Sequence, residues 1–118
     1  MRYIVLIRPD LAKAPAGGPS EQLMADMGAL ISEMTKAGVL LDTAGLGPAE
    51  EASVLQLSAG KVTTVDGPYT EAREFIGGYA LLQVATQEEA AEWAKRFLEI
   101  HGDEWEIVAE VRGVFGPE

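Results

Sequence analysis

The 118-residue chain has no cysteine and a single histidine, His101. Without a thiol there is no disulfide framework and no thiolate chemistry. One imidazole without cysteine does not make a transition-metal site, and the carboxylates lack the spacing of a calcium loop. No metal and no cofactor is therefore expected. Basic residues are scarce as well: nine Lys and Arg stand against nineteen Asp and Glu, for a formal charge of −10. Binding a phosphate backbone needs clustered cations, and these nine are scattered, so a nucleic-acid partner is not expected. Long hydrophobic runs are missing too. The apolar opening Met1–Ile7 is too short for a signal-peptide core with its cleavage site and far too short to span a bilayer. The expectation is a cytoplasmic chain with no membrane partner.

What is present is ordinary for a globular domain, with 47% apolar and 24% charged residues. Residues 1–118 are enough for one domain with a core that needs no staples. Arg2–Arg8 reads as a strand apolar on both faces, ended by Pro9. After the breaker-rich loop Lys13–Pro19, Ser20 is a fitting N-cap, and Leu23, Met27, Leu30, Ile31 and Met34 recur at helical spacing up to Gly38. Three methionines lie on or beside this stripe, which suits core packing or an adaptable binding surface. Val39–Leu46 predicts a second strand. Ser53–Ser58 and Lys61–Val65 flank Ala59-Gly60 as a hairpin. Gly78–Val84 is another strand apolar on both faces. Thr86-Gln87-Glu88-Glu89 opens a second helix with a capping-box pattern, and Gly102 closes it. Trp105–Val114 alternates as a final strand.

The order βαβ, hairpin, βαβ predicts an α+β, ferredoxin-like βαββαβ fold with an inserted hairpin and both helices on one face of an antiparallel sheet. Two strands apolar on both faces leave the other sheet face in need of cover. A second copy, packed sheet to sheet, predicts a homodimer.

The stretch Val65–Val84, VDGPYTEAREFIGGYALLQV, resembles the DGPF signature of the YCII-related family: an aromatic DGP motif, an acidic segment, then Gly-Gly and an aromatic strand. The MRYIVLI opening, AGVLL and the C-terminal EEAAEWAKRFLEIHGDEWEIVAEVR are similar too. Tyr69 stands where the name-giving Phe falls, which keeps the ring and adds a hydroxyl. The resemblance implies a ferredoxin-like fold paired into a dimeric α+β barrel. It implies little about activity. The His–Asp pair proposed for some relatives has no His near the first helix to rest on here.

Candidate site residues cluster after the fourth strand. Asp66 has two readings: a general base beside the presumed cleft, or an Asx-type turn residue bonded to its own backbone. Tyr69 offers a phenol or a packed ring. Arg73 offers a bidentate fork for a carboxylate, or a surface ion pair. His101 is the sole imidazole and the natural acid–base candidate, yet a helix C-terminus gives it a structural reason. Arg8 and Arg112 end or nearly end two strands, where they attract an anionic molecule or pair with Glu106 or Glu110. Gly45-Leu46-Gly47 lacks the third glycine and the helix of a dinucleotide site. Two functions remain open. One is binding of a small anionic or phenolic molecule near Asp66, with a cofactor-independent proton transfer or lyase-type step. The other is a non-catalytic dimeric module for regulation or interaction.

Overall fold

A computed structural model describes residues 1–65 and 75–116, leaving aside the side chains of residues 49 and 65. In chain order the elements are β1 (Arg2–Pro9), α1 (Glu21–Lys36), β2 (Leu40–Gly45), β3 (Val54–Ser58), β4 (Lys61–Val65), β5 (Gly78–Gln83), α2 (Gln87–Glu99) and β6 (Ile107–Gly113). Short 3-10 turns occupy Leu11–Lys13 and Ala49–Glu51.

Four strands form one sheet in the order β2-β5-β1-β6, each neighbouring pair antiparallel. The fold is α+β, and this strand order is consistent with the ferredoxin-like arrangement. β1 lies inside the sheet, in keeping with its apolar residues on both faces. Period two then sorts its side chains. Tyr3 and Val5 are buried and join Leu82, Val84, Leu30, Met34, Ala90 and Ala94 in one core cluster, so both helices pack on the same face. Ile4 and Leu6 point the other way and are only half-buried.

Local chemistry starts and stops the helices as the sequence predicts. The Ser20 hydroxyl oxygen accepts from the Leu23 N–H at 3.1 Å, and Thr86 accepts from the Glu89 N–H at 3.2 Å. The final strand begins at Ile107 rather than Trp105. Trp105 instead stands edge-on to the His101 ring, 5.7 Å between centroids, while the Glu106 carbonyl accepts from the Asp10 N–H at 2.8 Å.

β3 and β4 pair with each other and with no strand of the main sheet. Their turn, Ala59-Gly60, has φ of 51° and 78°. Positive φ at both central residues is the turn that matches the twist of a two-residue hairpin. Glycine takes this at no cost, whereas Ala59 is held there by the strands on either side.

Candidate functional site

The helices do not close completely over the sheet. Between them lies a cavity of about 280 Å³, partly open to solvent. Its floor is built by Val5, Ile7 and Ala80. One wall is the α1 stripe, with Met27, Leu30, Ile31 and Met34; the other is Trp93, Ala94 and Phe97 of α2. Period 3.6 puts each of these sets on one helix face. Among the described residues no charged side chain lines the cleft. The Thr43 hydroxyl at its margin is already engaged, donating to the Tyr79 carbonyl at 2.9 Å.

At one end the cleft is narrowed by backbone. Gly77 and Gly78 line it, and a side chain at either position would be crowded. A Cβ on Gly78 would meet the Ala44 carbonyl oxygen at 3.0 Å, and one on Gly77 would meet Pro9 Cδ at 3.0 Å. Outside the cleft an ion pair ties the two helices together. Arg96 on α2 grips both carboxylate oxygens of Glu33 on α1, with Nη2 at 2.8 Å from Oε1. Its guanidinium also lies 5.0 Å from the ring centre of Trp93. The Arg96 hydrogen bonds hold the Glu33 carboxyl below its ordinary value.

The residues singled out from sequence are distributed differently. Asp66, Tyr69 and Arg73 lie outside the described residues. Arg8 and Arg112 meet on the sheet face away from the helices, where they share one carboxylate: Glu110 is 2.9 Å from Arg8 Nη1 and 3.7 Å from Arg112 Nε. Glu110 is a partner to both, and neither arginine lines the cleft. His101 packs at the end of α2, its Nδ1 2.8 Å from the Phe97 carbonyl oxygen and its ring 4.7 Å from the Phe97 ring. It too stands apart from the cleft lining. Among the described residues no three His, Asp or Glu side chains gather to hold a metal ion, and no helix is long and apolar enough to cross a membrane.

Residues 1–110 match the model of the YCII-related domain. The chain belongs to the YCII-related family. It is similar to an uncharacterised protein of Rhizobium meliloti (strain 1021), with 33% identity over 97 residues that cover 80% of this chain and 78% of that protein. The YCII-related match takes in both helices and the whole cleft, so the cleft is part of the family domain rather than an addition to it. Its lining was half visible in the sequence. The methionine-rich stripe of α1 was there to see, but nothing local told that Trp93 and Phe97 would face it across a gap.

Proposed function

We propose that this YCII-related protein binds one small, largely apolar organic molecule in the cleft between α1, α2 and the sheet. The observation that carries this reading is the 280 Å³ cavity with no charged side chain in its described lining. Ligand sites are commonly apolar hollows of about 300–1,000 Å³ with few polar groups, and this one falls at the small end. Methionines 27 and 34 add walls that adapt to irregular shapes. A free carboxylate would lose its hydration there and gain no cation, a costly exchange. A neutral ring or a phenol suits the cleft better than an anion. The catalytic extension has Asp66 as general base in a cofactor-independent proton transfer or lyase-type step, with Tyr69 or Arg73 orienting the substrate. It rests on sequence alone.

The test is a thermal-shift and calorimetric screen of neutral aromatics, phenols and carboxylates. Neutral compounds and phenols are expected to raise the melting temperature; at ligand one hundred times above Kd the stabilisation is about 2.7 kcal/mol. Ile31→Trp, which fills the cleft from its exposed rim, is expected to abolish the response. Equal responses in wild type and Ile31→Trp sink the cleft as the site. Asp66→Asn separates binding from chemistry: retained binding with lost turnover supports the base, and unchanged turnover removes it.

A second reading concerns assembly. Ile4, Leu6 and Leu81 share the sheet face away from the helices, and Val108 on that face is 57% exposed. Ile4, Leu6 and Leu81 are only half-buried, and both helices lie on the opposite face, so no described helix covers them. We infer that a second copy does, packed sheet to sheet as a dimeric α+β barrel. A stable monomer at micromolar concentration in sedimentation experiments sinks this reading.

A further inference from the structure

The β3–β4 hairpin presents an exposed apolar side. Pairing Leu57 with Val62 and Leu55 with Thr64 puts Leu55, Leu57 and Val62 on one side of the two-stranded ribbon. These aliphatic side chains are 65%, 71% and 65% exposed. A two-stranded hairpin on its own is marginal in water, and exposing its apolar side adds to the cost. The molecule is correspondingly extended, with a radius of gyration of 16.0 Å, where a compact chain of this length has roughly 13.5 Å.

Area and charge decide what covers the ribbon. Five residues at about 3.4 Å rise on two strands about 4.8 Å apart make a strip far smaller than the roughly 800 Å² per partner of a stable interface. Such a strip does not hold an unrelated protein unaided. It works as an addition to a larger contact, for which the sheet face away from the helices offers half-buried Ile4, Leu6 and Leu81 and exposed Val108 beside the Arg8, Glu110 and Arg112 cluster. Charge points the same way. Lys61, beside the turn, is the only charged residue from Val54 to Val65, whereas the chain carries −10. The body of a second copy repels the first, yet attracts the tip of its hairpin.

We propose that the β3–β4 hairpin is an arm whose Leu55, Leu57 and Val62 face packs on a second copy of this chain, flanking the sheet-to-sheet contact. The arm rests on the dimer reading above. Two-fold symmetry uses it twice, so each side-chain contact counts double.

The experiment is sedimentation equilibrium on the full chain and on Leu55→Ser/Leu57→Ser, with circular dichroism to check that the fold is kept. Both leucines are largely exposed, so their loss leaves no cavity in the core. The double variant is expected to dissociate about tenfold or more readily. A second variant, Leu57→Cys, carries an environment-sensitive fluorophore at a unique thiol. Its emission is expected to shift blue as concentration rises through the dissociation constant. An unchanged dissociation constant, or emission indifferent to dimerisation, overturns the arm and leaves the sheet-to-sheet dimer standing. A wild type that stays monomeric overturns both.

Discussion

Single residues set the limits of this fold most sharply where there is no spare room. Leu82 is fully buried at 0% exposure, in the core between sheet and helices. Leu82→Ala removes apolar burial and leaves a cavity, a loss of about 2–5 kcal/mol expected as a lower denaturant midpoint with an unchanged slope. The Glu33–Arg96 pair makes a different kind of prediction. The Arg96 hydrogen bonds lower the Glu33 pKa from its ordinary 4.5, outweighing desolvation, which opposes them, and the charge attraction adds a lesser push in the same direction. The folded state thus holds on to fewer protons than the unfolded state through the acid range. Its contribution is complete above the ordinary glutamate value and is lost as pH falls through the lowered one. Both side chains are exposed, so the effect is modest and screened by salt. Glu33→Gln is expected to melt with a weaker dependence on pH below the ordinary glutamate range than wild type, and adding salt is expected to narrow the difference.

Among the elements, α2 depends on its first turn. Thr86→Ala takes away the acceptor for the Glu89 N–H and is expected to cost about 1 kcal/mol, read by chemical denaturation, with Thr86→Ser restoring most of it. Such features were legible in the sequence because the cap, the apolar stripe and the closing glycine all lie within the segment they shape. The strands β1 and β5 were legible for the same reason, through unbroken apolar runs. The irregularity of β2 was not. Its register against β5 shifts between Leu40 and Asp42, and that is decided by the neighbouring strand. The cleft was hidden more deeply, since Met27, Ala80 and Trp93 come from three separate elements. The Glu33–Arg96 clasp joins residues 63 positions apart, a distance across which spacing carries no information. Asp66, Tyr69 and Arg73 remain candidates by motif. Arg8 and Arg112, which sequence alone left open between an anionic ligand and pairing with Glu106 or Glu110, stand beside Glu110.

On the scale of the molecule the governing facts are a flat body, with principal extents of 46 × 42 × 18 Å, and a charge of −10. In the proposed dimer, two such bodies meeting by their sheet faces would work against long-range repulsion, which salt screens over about 10 Å at 0.1 M. The dimer is therefore expected to tighten by severalfold when ionic strength rises from about 0.01 M to about 0.1 M, as measured by sedimentation. An association driven by ion pairs would weaken instead. The same scale gives Gly77 and Gly78 a further meaning. With Pro9 and the Ala44 carbonyl pressed against them, the sheet side of the cleft has no side chain there to vary. For the proposed ligand, retuning toward a longer or wider shape would fall to the rest of the lining, at Val5, Ile7 or Ala80 on the floor and at Met27, Ile31, Met34 or Trp93 on the helices. The cleft has one end set by backbone and walls set by side chains.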